Sequence, residues 1–470
     1  MDLGKPLVQI SRPPVVTILG HVDHGKTTLL DFIRKTEVAK REAGGITQRI
    51  GASLIKTKEG KKITFIDTPG HAAFYKMRSR GAYVADMAVL VVAGEEGVKP
   101  QTKEALNFIL EVGVPYIVAV TKIDLPTANV DLVRGEMEKI GVSFEGRGGN
   151  VPLIGVSGRT GEGVEKLLDL IVLTAEVYGL KGSENDPLEA VVIETGKDKR
   201  GLTVSVVVKS GKIRVGQTLV TETNRAKVRG IFDSFGKSIK EVLPGEPALL
   251  LGFEEIPEVG SKIWSVEDKG ESYVVKREEK TKVLNKGKIS LILKASTLGS
   301  IEAITSNLPP DIGLIYSDVG DITESDIFLA KSTDSLIFGF EVKISQQVLK
   351  LAETENVRVE IFDIIYKLFE KLEEILKKEN YQVKGKAEII AIFPFDKAKV
   401  AGCRVLSGEI KISDKLILLR NDSEIGEVRI VSMKKQKSDI QSVKQGEECG
   451  ILLSPQLDFR ISDVLISLQK

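Results

Sequence analysis

Gly20-His21-Val22-Asp23-His24-Gly25-Lys26-Thr27 fits the pattern G-x-x-x-x-G-K-[ST], a loop that wraps the phosphates of a nucleoside triphosphate. The two glycines let the backbone close around an anion with successive N–H groups pointing inward. Lys26 reaches toward the β- and γ-phosphates, and the Thr27 hydroxyl suits one Mg²⁺ position. The flanks agree with this. Pro14 to Leu19 reads as a buried strand, and Lys26 to Lys35 as a helix whose N-terminus faces the anion. Strand, glycine loop and helix together predict an α/β nucleotide-binding domain.

The rest of the chain sets the frame. At 470 residues it is too long for one core and predicts several domains. Lys plus Arg (67) and Asp plus Glu (66) nearly cancel, so any nucleic-acid contact must be local or shape-driven. Two cysteines make no disulfide framework and fit a reducing compartment. Met1 to Arg12 lacks the apolar stretch of a secretory signal, and apolar runs such as Ala85 to Ala93 fall far short of a membrane span. The expectation is a soluble cytoplasmic chain with no membrane partner.

After a short lead (1–13), residues 14–184 alternate β-rich and helical runs, which predicts a parallel sheet covered on both faces. Lys181 to Pro187 is rich in breakers. Residues 185–278 carry short alternating strands between Gly and Pro turns, as in a small antiparallel barrel. A charged linker precedes residues 286–362, read as a compact α/β layer. Within 363–382, Ile364, Ile365, Leu368, Phe369, Leu372, Ile375 and Leu376 form one helical stripe. Two readings stand for this connecting helix: packing on its own domain, or a rigid spacer. Residues 383–470 return to a turn-rich β pattern. The expected fold class is multidomain, α/β plus β: phosphate-loop domain, β-barrel, small α/β layer, connecting long helix and C-terminal β-barrel.

Further motifs follow the loop in order. Asp67-Thr68-Pro69-Gly70 ends a second strand. Its carboxylate suits the Mg²⁺ shell, and the Gly70 N–H suits the γ-phosphate. Thr121-Lys122-Ile123-Asp124 ends another strand. The Asp124 carboxylate matches the paired N1–H and N2–H₂ donors of guanine, which adenine lacks. The Lys122 stem suits the base face. Ser157-Gly158-Arg159 ends the next strand and suits backbone contacts to the guanine oxygen. This order selects GTP over ATP. Between the first two motifs, Gly44-Gly45-Ile46-Thr47 suits a segment that orders when Thr47 meets Mg²⁺ and the γ-phosphate. His71 has two readings: a bland surface imidazole, or a group that orients the attacking water. The chain's three histidines all lie in these motifs, which favours the second.

The wording around these motifs resembles the translational GTPases, and within them the family of bacterial-type translation initiation factor two. G-H-V-D-H-G-K-T-T-L-L-D at 20–31, A-G-G-I-T-Q-x-I-G-A at 43–52 and D-T-P-G-H-A-A-F at 67–74 carry the likeness. Ile289 to Ala295 with Gly299 to Ile304, Ala401-Gly402-Cys403 and Glu448-Cys449-Gly450-Ile451 extend it along the chain. The resemblance implies a ribosome-stimulated GTPase that binds GTP or GDP with Mg²⁺ and has a tRNA-binding last barrel. It implies recruitment of formylmethionyl initiator tRNA to the small ribosomal subunit, joining of the large one, and a monomeric chain. Nucleotide contacts would come from Gly20, His21, Val22, Asp23, His24, Gly25, Lys26, Thr27, Thr28, Gly70, Thr121, Lys122, Asp124, Ser157, Gly158 and Arg159. Metal ligands would be Thr27, Thr47 and Asp67, with a monovalent cation near Asp23. His71 and Lys26 would serve catalysis, flanked by Val22 and Ile46 as an apolar gate. Cys403, Glu448, Cys449, Lys434, Lys435 and Lys437 match positions near the tRNA 3′ end.

Departures from the family pattern bear on this. Thr121 stands for the usual Asn, keeping a hydroxyl donor but losing an amide worth about 0.5–1.5 kcal/mol. Gly158-Arg159 stands for a small residue plus Lys. Lys434-Lys435-Gln436-Lys437 lacks the guanidinium and the stacking ring of the family's run. Two readings therefore stand in the last barrel. The cysteines are small buried apolar groups or ligand contacts, and the lysines form a solvated turn or a tRNA contact. For the whole chain, the alternatives are a divergent translational GTPase in delivery or recycling, or a GTP-switched binding module without significant hydrolysis.

Overall fold

The computed structural model describes residues 10–35, 51–68, 84–269, 287–379, 382–395, 398–420, 423–436 and 438–469. The chain divides into two compact units, Met1–Leu368 and Phe369–Lys470. In chain order the strands of the first region are β1 (Ile10–Ser11), β2 (Val15–Gly20), β3 (Gly51–Lys56), β4 (Lys62–Asp67), β5 (Met87–Ala93), β6 (Tyr116–Thr121), β7 (Leu153–Gly155) and β8 (Lys181–Gly182). The helices among them are α1 (Lys26–Arg34), α2 (Pro100–Val112), α3 (Val130–Lys139) and α4 (Val164–Val177).

Six strands form one sheet in the order β3-β4-β2-β5-β6-β7. β2 and β5 are buried at every position, as parallel strands between two helical layers must be. On one face Val16, Ile18, Val89 and Val91 meet Leu29 and Leu30 of α1 and Leu167 and Ile171 of α4. On the other, Leu19, Leu90 and Val118 meet Ala105 and Ile109 of α2 and Val133 and Met137 of α3. The sheet is mixed where the sequence predicts a parallel one: β3 runs antiparallel to β4. Its cause is local. The polar turn at Thr57 to Gly60 is closed by Thr57 and Lys61 backbone bonding at 2.8 Å, too short a connection for a parallel crossover.

β1 pairs with β8, and just after it Arg12 enters a buried cluster. Its guanidinium donates to Asp86 at 2.5 and 2.7 Å, and Lys209 donates to the same carboxylate at 2.8 Å. Burial pushes Asp86 upward, but the hydrogen bonds and charges of Arg12 and Lys209 reverse this and leave it below the usual carboxylate range. Lys209 lies on strand Gly201–Ser210 of a seven-stranded sheet. Pairing of Thr218–Val220 with Arg225–Phe232 closes that sheet into a barrel, filled by Val192, Val204, Val206, Leu219 and Leu250.

Next comes a four-stranded parallel sheet built from Ile312–Val319, Ile289–Ala295, Ser335–Phe340 and Val359–Phe362. Helices Leu298–Ser306, Glu324–Thr333 and Gln346–Thr354 accompany it. Helix Ile365–Glu379 follows, and the division between the two units falls within it. Its stripe is buried at Ile365, Leu368, Leu372 and Ile375. In the second unit, strands Gln382–Phe395 and Ala398–Lys411 pair and close a further sheet into a barrel.

The first barrel and the four-stranded layer meet at Glu194. Gly196 bridges to Thr297, and Glu194 Oε1 accepts the N–H groups of Thr195 at 2.9 Å and Gly299 at 3.3 Å. Oε2 has no partner among the described residues. Burial pushes this carboxyl up to about 7. From pH 4.5, the ordinary value, to about 7, the folded chain holds a proton that the unfolded chain has lost, so stability falls as pH rises through that window. Glu194→Gln keeps the shape without the charge. Between pH 5 and pH 8 the parent's thermal midpoint should drop relative to Glu194→Gln, and parallel midpoints would refute the assignment.

Candidate functional site

The phosphate loop leaves β2 at Gly20, whose φ of +151° only glycine readily adopts. A Cβ there would meet the Val91 carbonyl oxygen at 2.4 Å. The loop turns left-handed at Asp23 (φ 60°) and Gly25 (φ 83°), and Gly25 caps α1. The helix N-terminus therefore opens on the loop, the arrangement of an anion site. Gln101 Oε1 accepts the Val22 N–H at 3.0 Å, and Lys26 Nζ donates to the His21 carbonyl. Thr28 belongs to the first turn of α1.

His24 points into the protein rather than toward a ligand. It is fully buried, its Nδ1 accepts the Ala93 N–H at 3.2 Å, and its ring meets His21 edge-on at 5.0 Å. Burial first, then the neighbouring His21, pulls its pKa down to about 4, so the imidazole is neutral at physiological pH. The His24 carbonyl accepts the Thr121 hydroxyl at 2.6 Å. Thr121 thus ties the phosphate loop to the end of β6, and its side chain serves the loop.

At the end of β4, Asp67 is buried with Oδ1 unpartnered among the described residues. Arg34 Nη1 lies 3.7 Å from its Oδ2. Burial, opposed by Arg34 and Lys26, pushes Asp67 up to about 6. A buried carboxylate oxygen without a donor, beside a phosphate loop, fits a hard divalent cation. Thr68 fixes the segment by donating to the Ile18 carbonyl at 2.9 Å. Ile46, Thr47, Gly70 and His71 lie outside the described residues.

The segments expected to read the base lie at the ends of β6 and β7. Lys122 takes a left-handed φ of 57°, and its Nζ donates to Glu95 at 2.6 Å and Glu96 at 3.4 Å. Asp124 receives the Ser157 hydroxyl at 2.7 Å and the Arg159 Nε at 2.9 Å. The Ser157 bond first, helped by Arg159, holds this carboxyl below its ordinary value. Gly158 is needed for fit: a Cβ there would meet the Leu29 nitrogen at 2.8 Å and Cα at 2.9 Å. The structure therefore brings loop, Asp67, Thr121, Asp124 and Ser157 to one edge of the sheet. Gln101, Arg34, Glu95 and Glu96 join them without any motif to announce them.

In the second unit the described residues of the expected tRNA set lie on three neighbouring strands, with Cys403 opposite Cys449 and Lys434 opposite Gly450. Cys403 and Cys449 face each other across neighbouring strands and belong to the barrel core. Burial raises both thiols above the ordinary range, Cys449 to about 11, which supports the packing reading. Glu448 pairs with Arg404 at 2.7 Å, Lys434 with Asp439 at 3.6 Å and Lys435 with Glu447 at 2.7 Å. Lys437 lies outside the described residues. Among the described residues, no helix is long and apolar enough to cross a membrane.

Comparison with known proteins agrees with the geometry. Residues 12–176 match the family described as Elongation factor Tu GTP binding domain, 187–266 Elongation factor G domain 2, and 266–373 Translation-initiation factor 2. A protein of Thermotoga sp. (strain RQ2) named Translation initiation factor IF-2 is 42% identical, over 97% of this chain and 71% of its own length. One of the same name from Aquifex aeolicus (strain VF5) is 40% identical, over 96% and 60% respectively. The crystal structure of GDP-bound aIF5B from Aeropyrum pernix is 28% identical over 97% of this chain and 92% of that one, with a TM-score of 0.48.

Because rigid helix backbone faces Gly158, Gly158→Ala should destabilise the chain by about 1–3 kcal/mol. Thermal unfolding reads this directly, and an unchanged midpoint would show that the loop can lift from α1 without strain.

Proposed function

Since the chain belongs to the translation initiation factor IF-2 family, we propose that it recruits formylmethionyl initiator tRNA and promotes joining of the ribosomal subunits. It is a GTP-dependent initiation factor and a translational GTPase, which binds GTP or GDP and hydrolyses GTP. The observation that carries the reading is the Thr121–His24 tie of 2.6 Å, which makes phosphate loop and base-reading segment one rigid site. The proposed domain plan is 14–184 for the GTPase, 185–278 for the first barrel, 286–362 for the α/β layer, 363–382 for the connecting helix and 383–470 for the tRNA-facing barrel. A cytoplasmic, ribosome-bound monomer is the matching state.

In this reading the backbone of 20–28 holds the phosphates, Lys26 neutralises charge on the β- and γ-phosphates, and Asp124 reads guanine. Lys26 now donates to the His21 carbonyl, so phosphate binding draws the ammonium from a neutral acceptor to an anionic one. Thr27, Thr47 and Asp67 would hold Mg²⁺, which when bound neutralises phosphate oxygens. A monovalent cation beside Asp23 belongs to the same proposal. His71, gated by Val22 and Ile46, orients the attacking water once the ribosome positions it. At the tRNA end, Lys434, Lys435, Lys437 and Glu448 supply the polar surface, and Cys403 and Cys449 support it by packing.

GTP hydrolysis by the purified chain, with and without ribosomes, tests this. The parent should be stimulated strongly. His71→Ala should lose roughly 10²–10⁴-fold of the stimulated rate while retaining GTP binding. A parent that ribosomes do not stimulate would overturn the proposal.

A further inference from the structure

Asp124 has a second suitor besides the base. An ionised carboxylate offers about four lone-pair sites on two oxygens. Ser157 takes one on Oδ1. Arg159 sets two nitrogens against Oδ2, with Nε donating at 2.9 Å and Nη2 lying 2.8 Å away as an ion pair. The N1–H and N2–H₂ edge of guanine needs one site on each oxygen, and two guanidinium nitrogens within 3 Å of Oδ2 crowd the approach of a further donor to that oxygen. We propose that Arg159 is a built-in competitor for the guanine edge, so that base entry and release are exchanges of donors on Asp124. The proposal rests on the reading of Asp124 as the guanine-binding group.

The surroundings make one partner fixed and the other movable. The Asp124 side chain is 10% exposed and the Arg159 side chain 72%, so the guanidinium can swing into water while the acceptor stays in place. The Arg159 backbone, in contrast, is held. Its N–H donates to Ser157 Oγ at 3.3 Å, and the Thr160 N–H does the same at 3.1 Å. Gly158 before it lies against the α1 backbone. The loop that holds Arg159 is therefore anchored while its side chain is free to exchange. A planar guanidinium presents neighbouring donors as guanine does, whereas a lysine ammonium is a point charge on a flexible stem. While Arg159 holds Oδ2, the carboxylate stays paired, so release of the base leaves no bare charge behind.

Exposed ion pairs contribute modestly, which sets the size of the effect. Fluorescent GDP binding, measured by stopped flow, should show faster association in Arg159→Ala and roughly two- to fivefold tighter affinity than in the parent. Arg159→Lys should fall between them. Because the competitor is charged, the difference between parent and Arg159→Ala should shrink as salt rises from about 0.05 to about 0.5 M. Asp124→Asn separates this idea from the reading it rests on. An amide in place of the carboxylate should move preference from guanosine to xanthosine diphosphate, whose base has a carbonyl where guanine has its amino group. If that switch occurs while Arg159→Ala binds GDP no faster or more weakly, competition is refuted and the guanine reading stands. If Asp124→Asn shows no switch, both fall.

Discussion

One hydroxyl, that of Thr121, ties together what would otherwise be separate turns. Parallel strands end without hairpins, so the loops that follow them have no ladder to hold them in register. Here Thr121 Oγ1 donates to the His24 carbonyl at 2.6 Å and lies 3.4 Å from the Val92 carbonyl. His24 in turn accepts from Ala93, and Gly94 donates to the Thr121 carbonyl at 2.9 Å. The ends of β2, β5 and β6 are thereby cross-linked. This bonding fixes the loop after β2 relative to the segment after β6, and such pre-arrangement is what lets binding energy serve recognition rather than ordering. The threonine that stands where the family has an amide keeps the hydroxyl that the structure uses.

Legibility in the sequence followed the range over which each feature is specified. The phosphate loop, Asp67, Thr121 and Asp124 were legible because each follows a buried strand within a few residues, and strand ends are where such folds place ligands. Both barrels were legible from short alternating strands. The antiparallel β3 was not, since Gly51 to Lys56 follows a glycine-rich stretch that also suits a nucleotide-responsive segment. Gln101, Asp86 and Glu194 were illegible for a different reason. Their partners Val22, Arg12 and Gly299 lie far off in sequence, and a polar residue gives no sign of a partner the fold has yet to bring near.

Three charge pairs mark the last barrel at the expected tRNA residues. Arg404 and Glu448, Lys434 and Asp439, and Lys435 and Glu447 each neutralise one another, while the two thiols lie inside. Cations held in such pairs give a weaker bulk attraction for phosphates than free ones would. This agrees with a chain whose positive and negative residues almost balance.

The Asp86 cluster bears on how the molecule can be cut. Its carboxylate belongs to the phosphate-loop region, one cation comes from Arg12 ahead of β2, and the other, Lys209, from the neighbouring barrel. The Thr64 hydroxyl also reaches the barrel, donating to the Gly245 carbonyl at 2.6 Å. A recombinant fragment that begins after Arg12 or stops before the barrel would keep every nucleotide motif yet strip counter-ions from a buried acid. A piece for biochemical work therefore has to start before Arg12 and include at least the first barrel. The motif-bearing segment and the barrel behind it are a single mechanical part.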